Sequence, residues 1–169
     1  MPTVALINGH AFAGGLMLAT SHDYRLTPPR GFFCLNELLF GAPLKPAMAA
    51  LFREKMVPQT YRTLVLEAHR FTGSEAIAGG LADAEAPKGL EDALAFVELK
   101  GLKEKAKTGV YGVLKAEMYK RLVAVLEGPE MEADEVRFNQ MNHVEDERKE
   151  FGRVWYEQWQ KEHEGKAKL

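Results

Sequence analysis

A glycine-rich segment near the N-terminus, residues 8–16, constrains the fold of this chain more than any other stretch. It follows a continuous apolar run, Val4-Ala5-Leu6-Ile7, which is typical of a strand buried on both faces. It precedes a short apolar stretch, Leu16 to Ser21, which we predict to be a helix. Glycines at such a junction let backbone approach a ligand closely, and the unpaired N–H groups of the helix can face a negative oxygen. The segment is therefore a candidate oxyanion site, although glycine pairs also occur at such junctions for packing reasons.

Composition is that of an ordinary globular protein, since 46% of the 169 residues are hydrophobic and 27% are charged. The formal net charge of −2 gives no electrostatic reason to expect nucleic acid as a partner. No apolar run reaches the roughly 18 residues needed to cross a bilayer. The single cysteine, Cys34, cannot form an internal disulfide, and its apolar neighbours favour a small buried side chain over a nucleophile.

Strand and helix signals alternate in the first 35 residues. We predict strands over Thr3 to Ile7, Asp23 to Thr27 and Phe32 to Leu35, with the short helix between the first two. Such close alternation favours parallel pairing through a crossover. Three strands make a small sheet, so we expect the complete domain to have further strands that precede Met1.

Glu37 is the carboxylate that the sequence singles out. Leu35 precedes it and Leu38, Leu39 and Phe40 follow it. If the side chain points inward, its charged form is poorly solvated and it becomes a stronger base, as a general base requires. The alternative is a glutamate at the end of a strand that simply faces water.

Helices are predicted for most of the rest of the chain, after one further extended segment, Leu81 to Glu85. The first three expected helices are Pro46 to Met56, Pro58 to Ala68, and a short one capped by Thr72-Gly73-Ser74-Glu75. A fourth begins at Pro87–Gly89 and has Leu90, Leu94 and Val97 on one face, and a fifth runs from Thr108 to Leu126 with the stripe Val110, Leu114, Met118 and Leu122. The last is a long charged helix from about Met131. The aromatic stripe of the last helix favours a core or subunit interface over a ligand site. We expect two regions, a partial core over 1–85 and a helical region over 86–169.

Common templates for metal and nucleophile sites are missing from the sequence. The five histidines show no metal-ligand spacing, and neither a GxSxG elbow nor a Walker loop occurs. We therefore predict no metal site. His10 is the one histidine that lies in the glycine-rich segment.

Several segments together resemble the crotonase superfamily, the enoyl-CoA hydratases and isomerases. They are Pro2 to Gly15, Leu18-Ala19, Asp23-Tyr24-Arg25, Phe33 to Glu37, Phe71 to Ala76 and Gly80 to Asp83. The resemblance covers about residues 2 to 126 and implies an α/β chain, the C-terminal part of a crotonase (ClpP/crotonase-like) β-β-α fold with a helical C-terminal region. The residues Ser21 to Tyr24 and Gly109 to Lys115 are most similar to the fungal and plant type of Δ3,Δ2-enoyl-CoA isomerase.

The resemblance assigns catalytic roles to three positions. Gly14 matches the glycine whose backbone N–H is half of the oxyanion hole, and Glu37 matches the catalytic glutamate. Met17 stands where hydratases have a second catalytic glutamate. A hydratase positions and activates water with two carboxylates, whereas an isomerase moves one proton with a single base. Because methionine cannot transfer protons, the resemblance favours isomerisation over hydration.

The resemblance also suggests which residues bind the substrate. The residues expected to line an acyl channel are Phe12, Ala13, Leu16, Met17 and Phe33. Arg25 and Lys45 are expected near the phosphates of coenzyme A. The second oxyanion donor and the adenine pocket of the family belong to the part of the domain that precedes this stretch.

The resulting hypothesis is an isomerase that converts 3-enoyl-CoA into 2-trans-enoyl-CoA in fatty-acid β-oxidation. Coenzyme A is part of the substrate, so no separate cofactor is expected. The expected partners are an acyl-CoA thioester and further copies of the chain, in a trimer or hexamer, without nucleic acid or a membrane span. The terminal Ala167-Lys168-Leu169 resembles a Ser-Lys-Leu peroxisomal signal, with the cytoplasm as the alternative location. The alternatives for function are a truncated, weakly active paralogue or oligomerisation subunit, and an enoyl-CoA hydratase.

Overall fold

The structure, a computed structural model, describes residues 1–128 and 130–163. The chain divides into two compact units, Met1–Gly128 and Pro129–Leu169. The expected division at residues 85 and 86 differs from this one, because helices that follow residue 86 bury Phe96, Leu102 and Leu122 within the first unit.

The first unit alternates short strands with helices. In chain order its elements are β1 (Val4–Leu6), β2 (Ala11–Phe12), α1 (Ala13–Ser21), β3 (Tyr24–Thr27), β4 (Phe32–Cys34), α2 (Glu37–Phe40), α3 (Pro46–Lys55), α4 (Pro58–Leu66), β5 (Phe71–Thr72), α5 (Gly73–Ala78), β6 (Ala84–Glu85), α6 (Leu90–Leu99), α7 (Leu102–Lys107), α8 (Val110–Met118) and α9 (Lys120–Glu127). Pro46 and Pro58 each begin a helix, where the missing N–H of proline has no intrahelical partner to lose.

The strands form two small sheets instead of the single sheet that the sequence predicted. The first sheet has the order β1-β3-β6 and all its pairs are parallel. The second has the order β2-β4-β5, in which β2 and β4 are parallel and β4 and β5 antiparallel. The third predicted strand therefore pairs with β2, which has only two residues and is too short for a periodicity signal.

Two hydrophobic clusters hold the first unit together. The larger joins α1, β4, α3, α4 and α5, and its fully buried side chains include Leu16, Phe33 and Phe52. The smaller joins β3 to α6 and α7 through Leu26, Phe96 and Leu102. The larger cluster therefore supports the glycine-rich segment and the strand that leads to Glu37.

Two predicted apolar faces are mostly exposed. On α6 the buried residues are Ala93 and Phe96; of the predicted face only Val97 packs against the smaller cluster, whereas Leu90 and Leu94 are 66% and 56% exposed. Phe96 decides which side of α6 faces the core, since its ring packs edge-on against that of Tyr24 with centroids 5.4 Å apart. The helix predicted from Thr108 to Leu126 is interrupted, and of its stripe only Leu122 is buried.

The predicted helix cap at Thr72 is confirmed. The Thr72 hydroxyl accepts a hydrogen bond from the Glu75 N–H at 3.3 Å, and a Glu75 carboxylate oxygen accepts one from the Thr72 N–H at 2.7 Å. This reciprocal pair satisfies two donors that a helix of only six residues would otherwise leave exposed.

The second unit contains α10 (Glu130–His163), a charged helix of 34 residues that confirms the sequence prediction. Local ion pairs follow its surface, among them Arg153 with Glu150 and Glu157 at 2.6 Å each. Neither α10 nor any other helix of the described residues is long and apolar enough to span a membrane.

Candidate active site

The parallel pairing of β2 and β4 brings Gly14 and Glu37 to one edge of a sheet. Phe12 lies opposite Cys34 in the register, and each is the last residue of its strand. Carboxyl ends of parallel neighbours meet at one edge, and adjacent strands lie about 4.8 Å apart. Gly14 comes two residues after the end of β2, and Glu37 three residues after the end of β4.

Gly14 and Gly15 lie in the first turn of α1, which begins at Ala13 and not at the predicted Leu16. The first-turn N–H groups of a helix have no intrahelical acceptor, and no side chain caps this helix at Phe12. A Cβ atom at either glycine would meet no other atom within 4 Å. Packing among the described residues therefore does not require glycine at either position, and the space that a side chain would enter there is open.

Ala13 has a φ of 47°, a left-handed conformation that is uncommon for a residue with a side chain. It lies where β2 turns directly into α1, so this conformation sets the direction of the glycine-bearing turn. Backbone outliers of this kind cluster at functional sites, where the surrounding fold holds them in place.

Glu37 begins α2 and is half-buried. Its Oε2 atom is buried without a hydrogen-bond partner among the described residues, and the Oδ1 atom of Asn36 is in the same situation. Glu37 lines a cavity of about 300 Å³ together with apolar side chains such as Leu35, Leu44 and Val65. A buried carboxylate oxygen that accepts no hydrogen bond from the surrounding residues is suited to accept a proton from a ligand.

The apolar surroundings of Glu37 differ from those expected. Leu38, Leu39 and Phe40 are each more than half exposed, because α2 turns them away from the core. Leu35 is buried in the larger hydrophobic cluster, as expected of a residue just after a core strand.

The residues expected to line an acyl channel have two different placements. Leu16 and Phe33 have no exposed surface, which corrects their expected place on a channel wall: as core residues they support α1 and β4 from inside. Met17 is half-buried against the same cluster, one turn after Gly14. The half-buried Phe12 has its ring 5.8 Å from the guanidinium of Arg70.

Arg25 is a structural residue, which corrects its expected place near phosphates. Only 6% of it is exposed, and its Nε donates to the Leu81 carbonyl oxygen at 2.7 Å. Its guanidinium also lies 3.7 Å from the carboxylate of Asp83. These contacts join β3 to the segment before β6. Lys45 is exposed just before α3, so its expected role stays a prediction.

His10 also has a structural contact. Its Nδ1 accepts a hydrogen bond from the Phe32 N–H at 3.1 Å, and its ring stacks on that of Phe32 with centroids 5.6 Å apart. A cavity of about 670 Å³ lies beside this pair at the carboxyl ends of β1, β3 and β6, and neither Gly14 nor Glu37 lines it. In residues 1–128 and 130–163 no His, Cys, Asp and Glu side chains converge as a metal site would require.

Sequence reasoning missed a buried cluster around Asp23. Its carboxylate accepts hydrogen bonds from the Thr3 N–H at 2.8 Å and from the Lys115 ammonium at 2.9 Å. Burial alone raises the pKa of Asp23, but the hydrogen bond and charge of Lys115 and the Thr3 N–H bring it below its ordinary value. Burial, with the charge of Asp23 next, raises the pKa of Tyr111 to about 12. The segments around Asp23 and Lys115 therefore contact each other.

Lys55 holds the end of α1 opposite to Gly14. Its ammonium donates to the carbonyl oxygens of Ser21 at 3.1 Å and His22 at 2.6 Å. Burial, with the nearby positive charge of Arg25, lowers the pKa of Lys55 to about 8. In the sequence, nothing distinguishes Lys55 from an exposed lysine at the end of an amphipathic helix.

Solved structures share this arrangement of strands and helices. A probable enoyl-CoA hydratase, EchA3, from Mycobacterium tuberculosis H37Rv superimposes with a TM-score of 0.64 at 22% identity, over 85% of this chain and 61% of that one. Enoyl-CoA hydratase EchA3 from Mycobacterium ulcerans gives a TM-score of 0.61 at 25% identity, over 79% and 59% of the two chains. The fold is thus that of the crotonase class of α/β proteins.

The chain belongs to the enoyl-CoA hydratase/isomerase family, whose model matches residues 1–166. Among curated relatives, the peroxisomal enoyl-CoA delta isomerase 2 of Arabidopsis thaliana is 34% identical over 131 residues, which are 75% of this chain and 55% of the relative. Enoyl-CoA delta isomerase 3 of the same plant is 35% identical over 132 residues, 75% and 56% of the two chains. The probable enoyl-CoA hydratase EchA17 of M. tuberculosis is 38% identical over 96 residues, 56% and 36%. The chain spans about half the length of the isomerases.

Proposed function

We propose that this chain carries the catalytic base and one oxyanion donor of a Δ3,Δ2-enoyl-CoA isomerase. The observation that supports this most is the register of β2 and β4, which sets the open first turn of α1 and the half-buried Glu37 at one edge. Met17 lies three residues after Gly14 and so on the same side of α1. A second carboxylate, which hydration needs, is replaced there by a thioether.

The proposed reaction moves one proton. Glu37 removes a proton from C2 of a 3-enoyl-CoA thioester, and the resulting dienolate oxygen accepts a hydrogen bond from the Gly14 N–H. Glu37 then returns the proton at C4, which leaves a 2-trans-enoyl-CoA. The loss of one preorganised oxyanion donor typically costs about 10²–10³ in rate, so this N–H is a major contributor to the proposed catalysis.

A direct assay tests the proposal. The full chain is incubated with a 3-enoyl-CoA, and formation of the conjugated 2-enoyl thioester is followed. We expect Glu37→Gln to lower turnover by about 10²–10⁴-fold while acyl-CoA binding is retained, because only the proton acceptor is lost. Glu91→Gln is the matched control, since Glu91 is exposed on α6 and pairs with Lys88. Equal turnover in the Glu37 variant and the wild type would exclude Glu37 as the base.

Two other functions are tested by the same preparation. An enoyl-CoA hydratase is favoured by the name of the mycobacterial relative, and water addition to a 2-enoyl-CoA measures it. Hydration faster than isomerisation would contradict the argument from Met17. A weakly active paralogue would give slow turnover, and an oligomerisation subunit would give none. The absence of both turnover and acyl-CoA binding would exclude the enzyme function for this chain.

A peroxisomal location is part of the proposal. Two of the plant relatives are named as peroxisomal, and the tripeptide Ala167-Lys168-Leu169 is one conservative change from Ser-Lys-Leu. These three residues lie outside the described part of the chain. A fluorescent protein fused at the N-terminus leaves the tripeptide free, and we expect its punctate peroxisomal signal to become cytoplasmic when the tripeptide is deleted. We also propose that the chain forms a homo-oligomer, a trimer or a hexamer.

A further inference from the structure

The second unit has an apolar seam along one face of α10. Its members are Met141, Val144, Phe151, Trp155 and Trp159, which are between 39% and 73% exposed. Arg148 fills the gap between Val144 and Phe151, so that the positions 141, 144, 148, 151 and 155 alternate by three and four residues. This spacing is the heptad pattern of a helix that packs along a second helix.

Charge is distributed unequally along α10. Residues 131–147 contain six acidic side chains and one arginine, whereas residues 148–163 contain four basic and three acidic ones. The acidic residues of the first half are Glu132, Asp134, Glu135, Glu145, Asp146 and Glu147, and the basic residues of the second half are Arg148, Lys149, Arg153 and Lys161. The two halves of the helix therefore carry net charges of opposite sign, and an antiparallel copy of the same helix presents the complementary charge.

We propose that α10 pairs through this seam, in antiparallel orientation, with α10 of a second copy of the chain. An antiparallel pair sets the acidic half of each copy against the basic half of the other. A parallel pair would set the two acidic halves side by side and is disfavoured by like-charge repulsion. The pairing is an interaction surface separate from the proposed reaction, so either proposal stands without the other.

One register pairs the central positions of the seam with one another. With residues 149 and 150 at the centre, Val144 faces Trp155 of the second copy, and Arg148 faces the ring of Phe151 of the second copy. Arg137 of one copy then lies opposite Glu162 of the other. Arg148 already contacts Glu145 at 3.1 Å, so its charge keeps a partner beside the seam. A polar residue at one seam position in a heptad pattern typically specifies a single alignment.

The two tryptophans of the chain, Trp155 and Trp159, both belong to the seam, so native fluorescence reports on it directly. We expect the emission of the full chain to shift to shorter wavelength as its concentration increases, in step with the mass measured by sedimentation. An increase in NaCl from about 0.05 to about 0.5 M should weaken the association about tenfold, because salt screens attraction between opposite charges. Association that strengthens with salt, or an emission that does not depend on concentration, would overturn the proposal.

A matched pair of variants locates the contact. Phe151→Glu places a charge in the seam and should weaken the association by about 30-fold or more, halving the mass of the assembly. Gln160→Glu adds a charge to an exposed residue nine positions after Phe151, on the opposite face of α10, and should leave the mass unchanged. Circular dichroism of both variants checks that α10 remains helical. An assembly whose mass is the same in the wild type and the Phe151 variant would show that association does not use this face.

Discussion

At the residue scale, glycine stands at different positions of the chain for different physical reasons. A Cβ atom on Gly73 would lie 3.1 Å from the carbonyl oxygen of Pro28 and 3.3 Å from the hydroxyl of Thr27, so close packing favours glycine there. At Gly14 the same atom would enter open space, and φ is not left-handed. Close packing therefore accounts for glycine at position 73, whereas packing among the described residues does not account for glycine at position 14.

This contrast predicts opposite effects of the same substitution. Gly73→Ala should lower the free energy of unfolding by about 1–3 kcal/mol, because Pro28 and Thr27 must shift. Gly14→Ala should leave it unchanged or raise it by up to about 1 kcal/mol, because alanine has the higher helix propensity. Urea unfolding measures both. A destabilising Gly14→Ala would mean that an unseen contact fills the space beside α1.

At the element scale, a buried ion pair attaches α8 to the start of β3. The carboxylate of Asp23 is 7% exposed, and the Lys115 ammonium lies 2.8 Å from it. The two residues are 92 positions apart, so the pair closes a large part of the first unit. Without Lys115, a buried carboxylate would keep only its Thr3 hydrogen bonds and a weak contact with Tyr111 at 3.4 Å.

We expect Lys115→Met to lower the free energy of unfolding by about 1–3 kcal/mol near neutral pH. In the folded state the pKa of Asp23 lies below its ordinary value of 3.8, so the contribution of the pair is complete above about pH 4 and is lost as the pH falls through the folded pKa. The difference between variant and wild type should therefore shrink below pH 4, which urea titrations across that range measure.

Lys120→Met is the control for this experiment. Lys120 forms an exposed pair with Glu117 at 3.3 Å within the first unit. Exposed pairs contribute about 0–1 kcal/mol, so the loss should be small and should show little dependence on pH. Equal losses in the two variants would mean that the Asp23 pair behaves as a surface contact.

At the scale of the whole molecule, the two units differ in what stabilises them. The first has two hydrophobic clusters with fully buried side chains. The second, over its described residues 131–163, has no buried side chain and many local ion pairs, such as Arg137 with Asp134 and Lys149 with Asp146. Pairs of this kind contribute only about 0.3–0.5 kcal/mol each to a helix.

The chain contains one native probe for each unit. Both tryptophans lie in α10, and the only cysteine, Cys34, is fully buried in β4. At low protein concentration we expect tryptophan emission to change at a lower urea concentration than that at which the Cys34 thiol becomes reactive, because α10 has no core of its own. Coincident midpoints would contradict this order and indicate a single cooperative unit.

Much of the local structure was predictable because its causes are local. The capping box at Thr72, the prolines that begin α3 and α4, and the length of α10 depend on neighbours within a few residues. Other predictions failed because burial depends on partners elsewhere. Leu90 and Leu94 have the right spacing for a buried face, yet Phe96 decides which side of α6 faces β3.

The sequence by itself determined the order of the candidate site: an apolar run, a glycine pair at a helix start and a glutamate after the next strands, in the pattern of the enoyl-CoA hydratase/isomerase family. Only the tertiary structure decided that β2 and β4 are neighbours and that Arg25 is buried in a structural contact. It also decided that Asp23 meets Lys115. The reason is that periodicity and caps depend on a few neighbouring residues. Strand pairing and burial depend instead on which of the alternative contacts across the whole chain has the lowest free energy.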